Sequence, residues 1–401
     1  MWFYYSPTII FGEEALDHLE NIGEDLEKKK VFIVTDPGII EVKLADILTA
    51  KLKELGFEWK IFSEVEADPH EETIIKGAEI CREYDPDLII GLGGGSSIDA
   101  AKGVWVLYER PDLTIDDIHP FLKLNLRKKA KFVAIPTTAG TGAETTWGVI
   151  ITRIQDGINM KLEQSSREVI PDVAILDPRF CKTLPPKLTA MTAFDAVGHA
   201  LEGVIAEWKN DYSYALSLGA YDLIRNYLPR AYNDGNDMEA REKMQNAAAM
   251  AGISFGNSQV ILNHSLAHAL GAAFHVPHGL GVGVFLPYVL QFSLKDPETE
   301  QILGRFSKML GISNWADTDV KASKKLVEDI KNLQDKVGFP RSLKEILDVM
   351  GISKGQLDEK LDLIIQQCYE SAVSSMSPRI PTKEEYQKII SYVYEGKDID
   401  F

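Results

Sequence analysis

Residues 88–108 read LIIGLGGGSSIDAAKGVWVLY. Leu88–Gly91 is a short apolar run of strand type, Gly93-Gly94-Gly95-Ser96 is a loop, and Ser97–Tyr108 has the composition of a helix. That context suits a bound phosphate. Glycine puts no Cβ in the way of an approaching anion, and the first N–H groups of a helix are unpaired and carry partial positive charge. Counted from Gly91 the sixth position is Ser96, so the spacing is not G-x-G-x-x-G, and no Gly-Lys-Ser/Thr follows, so it is not a P-loop. A strand-to-helix turn without a ligand uses the same letters; the strand–loop–helix setting favours the phosphate.

Working outward, Val31–Thr35 reads as a strand, Asp36-Pro37-Gly38 punctuates it, and a helix runs from about Ile39 to Leu55, closed by Gly56. Trp59–Phe62 reads as a strand. Glu71–Tyr84 reads as a helix stopped by Asp85-Pro86. Phe132–Ile135 and Val173–Leu176 are further strands, and the aromatic N-terminal stretch 1–11 is a first one. Alternation of strand and helix at this spacing predicts an α/β fold with a parallel, doubly wound sheet. From Pro185 onward helical periodicity takes over, in 188–208, 212–227, 239–255 and 262–274. The change falls at Asp177–Pro186, which holds three prolines. The expected domains are therefore 1–181, dinucleotide-binding, and 182–401, all-helical.

A second loop, Pro136-Thr137-Thr138-Ala139-Gly140-Thr141-Gly142-Ala143-Glu144, follows the 132–135 strand. Its hydroxyls and glycines lie where an open sheet binds ligands. Asp36, at a strand end, suits either of two roles: accepting from an adenosine ribose, or capping the helix that Pro37 opens.

Asp195 and His199 are four apart on a predicted helix, one turn apart on one face, among small and apolar neighbours. Burying an acid and an imidazole there is costly unless they are paired or ligated. Of eight histidines, four lie within 264–278: His264, His268, His275 and His278. Three imidazoles and one carboxylate suit Zn2+ or Fe2+. Spacing alone does not separate His264 and His278 from His268 and His275 as the second pair.

Composition narrows the partners. The net charge of −17, from 43 basic and 60 acidic residues, repels a phosphate backbone, so nucleic acid is not expected as a partner. No apolar run reaches the length of a membrane span, so no membrane partner is expected either. Cys81, Cys181 and Cys368 are scattered and form no Cys-x-x-Cys pair, which fits a reducing, cytoplasmic setting.

Four ordered blocks then carry a resemblance: Gly93-Gly94-Gly95-Ser96 with Asp99 and Lys102; the 136–144 loop; Asp195-x3-His199-Ala200-Leu201-Glu202; and His264-Ser265-Leu266-Ala267-His268 with Pro277-His278-Gly279. Over nearly its whole length the chain resembles the iron-containing (group III) alcohol dehydrogenases. The resemblance implies hydride transfer between NAD(H) and a small alcohol, aldehyde or ketone, in a cleft between the two domains. It implies a metal, Fe2+ with Zn2+ as the alternative, on Asp195, His199, His264 and His278. It places His268 beside the metal without ligating it and His275 at a variable position; because an imidazole titrates near neutral pH, either is a candidate proton relay. It implies cofactor contacts at Asp36, Gly93, Gly94, Gly95, Ser96, Asp99, Thr137, Thr138, Thr141 and Lys161, with Asp36 favouring NAD over NADP, and a homodimer. Ala193 and Thr145–Gly148 depart from the usual pattern. The main rival is a dehydroquinate synthase-like lyase on the same fold. A non-catalytic sensor and a metal-free polyol dehydrogenase are further rivals, and the intact ligand set disfavours the latter.

Overall fold

The structure is a computed structural model that describes residues 3–155 and 158–401. It contains two compact units: Met1–Leu184 with Gly235–Gly256, and Pro185–Asp234 with Asn257–Phe401.

The first unit is built on a six-stranded sheet. Its strands are β1 (Thr8–Phe11), β2 (Lys30–Val34), β3 (Glu58–Phe62), β4 (Leu88–Gly93), β5 (Lys131–Pro136) and β8 (Val173–Leu176), in the order β1-β8-β5-β4-β2-β3. Every neighbouring pair is parallel. Successive side chains of one strand enter opposite cores. Phe32 and Val34 pack with Ile89, Trp105 and Phe132 on one face, while Val31 and Ile33 pack with Leu88, Ile90 and Ile135 on the other. A parallel sheet covered on both faces has no solvated side, which is why its strands read as continuous apolar runs. The strand seen in the aromatic N-terminal stretch is Thr8–Phe11; Met1 and Trp2 lie outside the described residues.

Two local differences from the sequence reading have physical causes. The helix read over 39–55 is two helices, Pro37–Glu41 and Leu44–Glu54, broken at Lys43, whose φ is +61°. A separate antiparallel hairpin, β6 (Gly148–Gln155) and β7 (Ile158–Ser165), stands beside the main sheet. Arg153 secures β6, its guanidinium bonded to Glu71 and to Asp116.

The second unit is helical. It includes Pro186–Gly203, Asp211–Asn233 and Leu262–Phe274, which begin or end close to where periodicity places them, and also His278–Ser293. The helix Met238–Gly256 packs with the first unit. Among the described residues no helix is long and apolar enough to cross a membrane.

Candidate metal centre and cofactor loops

In the first unit the chain passes from β2 outward to β3, then returns to place β4, β5 and β8 on the other side of β2. The strand order therefore reverses between β2 and β4, and a crevice opens outside the carboxyl ends of strands at such a point. Asp36 follows β2 and the glycine loop follows β4. Asp36 caps the helix Pro37–Glu41, its Oδ1 accepting from the Ile39 N–H at 3.1 Å. Its Oδ2 accepts from the Ser97 hydroxyl at 2.9 Å. Gly93 has a φ of +150°, and a Cβ on it would stand 2.5 Å from Ser97 Cβ. Only glycine leaves that bond intact.

The two loops interlock. Thr137 N–H donates to Gly93 O at 2.9 Å, and Cβ atoms on Gly94 and Gly95 would reach the Cγ2 methyls of Thr138 and Thr141 at 3.4 and 2.9 Å. Ser96 Oγ accepts a long bond from the Asp68 N–H at 3.4 Å, and the Asp68 carboxylate pairs with Lys161 on β7. Asp68 therefore links two predicted cofactor residues that are far apart in sequence. Sequence reasoning passed over it, although the Asp68-Pro69 turn just beyond β3 marks a loop at the same sheet end. Asp99 is buried and committed: its Oδ2 accepts from the Ile150 N–H at 3.0 Å and its Oδ1 from Lys102 Nζ at 3.2 Å. Lys102, fully buried, also donates to Gly148 O at 2.7 Å. The pair fastens the start of β6 to the helix Gly95–Glu109.

Glu144, at the end of the threonine loop, is buried near Lys102. Burial pushes its carboxyl pKa up to about 7, against the smaller pull of its own backbone N–H and Lys102. A carboxyl raised above its unfolded value holds its proton longer in the folded state. It adds stability that is intact below the unfolded pKa of 4.5 and is lost as pH rises to and through about 7. The loss amounts to roughly 3 kcal/mol for a shift of this size. Glu144→Gln should therefore flatten the fall in unfolding free energy between pH 5 and pH 8 by about that amount in urea titrations. An unchanged pH dependence would contradict this.

The second unit holds the metal candidates. Asp195 and His199 lie one turn apart on Pro186–Gly203, His264 on Leu262–Phe274, and His278 opens His278–Ser293. Ligand atoms of Asp195, His199 and His264, all buried, lie within 4.8 Å of one another. Three imidazole nitrogens converge on one oxygen: Nε2 of His199 and of His264 at 3.6 Å from Asp195 Oδ1, and Nε2 of His278 at 3.3 Å. The first three residues are nearly inaccessible, whereas the His278 side chain is 39% exposed. Asp195 Oδ1 and His264 Nε2 are buried with no hydrogen-bond partner among the described residues.

These separations are too long for good hydrogen bonds. They match the edges of a tetrahedron, about 3.4 Å, around a cation whose N and O ligands stand at about 2.1 Å. The donor set and the orphaned buried atoms thus fit a four-coordinate divalent cation. Burial by itself would raise the Asp195 carboxyl pKa, but His199, His278 and His264 outweigh it and hold it well below the usual carboxylate range.

Two features seat these ligands. Glu202, fully buried on the same helix face as Asp195 and His199, accepts from His264 Nδ1 at 2.8 Å. It belongs to a motif block, and its i+3 spacing from His199 was the available signal for a role. Gly279 lies against Pro186–Gly203 so closely that a Cβ would stand 2.2 Å from Met191 O, which lets His278 reach Asp195.

Of the two candidate relays, His268 stacks on His278 with ring centroids 5.0 Å apart. His275 is exposed and caps its helix in a left-handed conformation, while the ring contacts among the described histidines of the cluster join His199, His264, His268 and His278.

Comparison with known proteins accords with this arrangement. The profile described as "Iron-containing alcohol dehydrogenase" matches residues 6–178, and that of the "Fe-containing alcohol dehydrogenase family, C-terminal" matches residues 189–394. The chain is 38% identical to an NADPH-dependent butanol dehydrogenase of Clostridium saccharobutylicum, over the full length of both. It superimposes on an alcohol dehydrogenase from Oenococcus oeni with a TM-score of 0.89 at 29% identity, covering 98% of this chain and 100% of that one. For a sulfoacetaldehyde reductase from Bifidobacterium kashiwanohense in complex with NAD+, the TM-score is 0.84 at 25% identity, covering 98% and 99%. With both halves matched in order and a full-length relative well above 30% identity, the chain belongs to the iron-containing alcohol dehydrogenase family.

Proposed function

We propose that this member interconverts short primary or secondary alcohols and their aldehydes or ketones with NAD(H), using a divalent cation held by Asp195, His199, His264 and His278. The observation that carries the reading is the approach of three imidazole Nε2 atoms to Asp195 Oδ1 at 3.3–3.6 Å, with buried atoms left unbonded. A cation there supplies Lewis acidity toward the alcohol or carbonyl oxygen. Fe2+ is the proposed metal, with Zn2+ compatible with the same donors.

The chain's own residues do the rest. The glycine loop and the helix Gly95–Glu109 present N–H groups to the cofactor diphosphate. Ser96, Thr137, Thr138 and Thr141 add hydroxyls, Lys161 adds a cation, and Asp99 acts by holding β6 in place. His268, stacked on His278, is the proposed route for the proton released on alcohol oxidation; the exposed His275 has no comparable support. Three free, buried cysteines support a reducing compartment. β1 is an edge strand with Phe11 exposed, which supports a homodimer.

Metal-free protein, reloaded separately with Fe2+, Zn2+ and Ni2+, should oxidise NADH in the presence of butanal only when a metal is returned. Absence of turnover with every metal across a panel of short aldehydes would overturn the reading.

Asp36 is the reason for proposing NAD(H), whatever the cofactor of the Clostridium relative. A carboxylate beside the adenosine ribose accepts from its hydroxyls and repels a 2′-phosphate. Asp36→Ala should shift the ratio of kcat/KM for NADPH over NADH upward by about tenfold or more. It should also cost about 1 kcal/mol of stability through loss of the helix cap. An unchanged ratio would leave Asp36 a cap alone.

A further inference from the structure

The Glu202 carboxylate is fully buried and, among the described residues, makes three bonds, all to one short stretch of chain. Its Oε2 accepts from the Ile261 N–H at 2.8 Å, and its Oε1 accepts from Asn263 Nδ2 and from His264 Nδ1, each at 2.8 Å. A neutral imidazole has one donor nitrogen and one acceptor nitrogen. A carboxylate receiving from Nδ1 fixes the proton there and leaves the Nε2 lone pair exposed. His264 Nε2 is the atom that faces Asp195 without a hydrogen-bond partner.

A second observation points the same way. A Cβ on Gly198, one turn before Glu202, would stand 3.2 Å from Glu202 Oε1, 3.5 Å from His264 Cε1 and 2.5 Å from Val282 Cγ1. The helix thus carries no side chain at the point where the carboxylate meets the ring.

We propose that Glu202 is the positioning residue of the metal centre: it selects the His264 tautomer that offers Nε2 to the cation and sets the ring's orientation and donor strength. The inference rests on the metal-binding reading above. A carboxylate–imidazole–metal chain makes the ligand more basic and holds it in register, and loss of such a partner typically weakens metal binding 10–100-fold. Glu202 also ties the start of Leu262–Phe274 to Pro186–Gly203, so the test must separate orientation from bracing.

Co2+ serves as the probe, titrated into metal-free protein against a chromophoric chelator. Glu202→Gln keeps the volume and removes the charge; Co2+ binding should weaken about 10–100-fold, and the visible Co2+ absorption should shift. Asn263→Ala removes one bracing bond and spares the His264 bond; it should retain wild-type Co2+ affinity and spectrum. Wild-type affinity in Glu202→Gln, or equal losses in both variants, would overturn the proposal. Failure of the wild-type protein to bind Co2+ would instead refute the metal-binding reading beneath it. If Glu202→Gln does not fold, the Zn2+-loaded wild-type protein carries the test. Its 15N spectrum should show His264, assigned by its loss in His264→Gln, protonated at Nδ1; an unprotonated Nδ1 would overturn the proposal.

Discussion

Replacing Asp195 with Asn should strip the cation from the protein and abolish turnover. Asp195 Oδ1 is the one atom that all three Nε2 nitrogens approach, and it carries the only negative charge among the four proposed ligands. An amide of the same shape keeps the volume and loses that charge. Removing an outer hydrogen-bond partner of a metal ligand already costs 10–100-fold in affinity, so loss of the anionic ligand should exceed about a hundredfold. Lewis-acid activation is worth several kcal/mol, so kcat/KM should fall by about a thousandfold or more. Elemental analysis after dialysis, with steady-state assays on the same sample, checks both. Stoichiometric metal retained in Asp195→Asn would mean that the cation binds elsewhere.

Gly142→Ala should be nearly as damaging, through the fold. Gly142 has a φ of +64°, and a Cβ there would stand 2.5 Å from Gly252 Cα on the helix Met238–Gly256. A left-handed conformation costs a residue with a Cβ roughly 1–2 kcal/mol, and forced overpacking adds about 1–3 kcal/mol. The loop that would shift carries Thr138 and Thr141, which pack on Gly94 and Gly95. NADH affinity, read by fluorescence titration, should therefore fall along with stability. Gly252→Ala supplies the control. Alanine in a helix interior is intrinsically better than glycine by about 1 kcal/mol, yet its Cβ would stand 2.3 Å from Thr145 Oγ1. A net loss of stability in Gly252→Ala isolates the packing term, and stabilisation of either variant would contradict the close approach.

How far the letters reach depends on whether the deciding contact is local. The strand Leu88–Gly93 and the glycine loop were legible because β-branched and apolar residues, then glycines, signal themselves. The helix Glu71–Tyr84 was legible because Asp85-Pro86 ends it. The break at Lys43 was not, since no glycine or proline marks it. The hairpin β6–β7 had a signal that went unused: an Asp156-Gly157 pair between runs containing alternate apolar residues. That the helix Met238–Gly256 belongs with the first unit rests on contacts over a hundred positions apart in sequence, among them Gly252 against Gly142 and the Gln245 side chain donating to Pro136 O, which periodicity does not carry.

The site divides in the same way. Asp195 and His199 share a helix face, and i,i+4 spacing reveals that. The spacing of His264 and His268 is equally good for sharing a site, so it does not distinguish them. What sets His264 apart is the grip of Glu202 on its Nδ1, and what delivers His278 is the bare Gly279 against Met191 O. Both are contacts between helices distant in sequence. Asp36 shows the converse case: the helix cap was readable from the letters, whereas the bond its other carboxylate oxygen accepts from Ser97, 61 positions away, is not carried by spacing.

The most direct test of the central claim is an anomalous difference map from crystals grown with Zn2+. The predicted result is a single strong peak within bonding distance of Asp195 Oδ1 and the Nε2 atoms of His199, His264 and His278. A peak held instead by His268 and His275, or no peak among these residues, would contradict it.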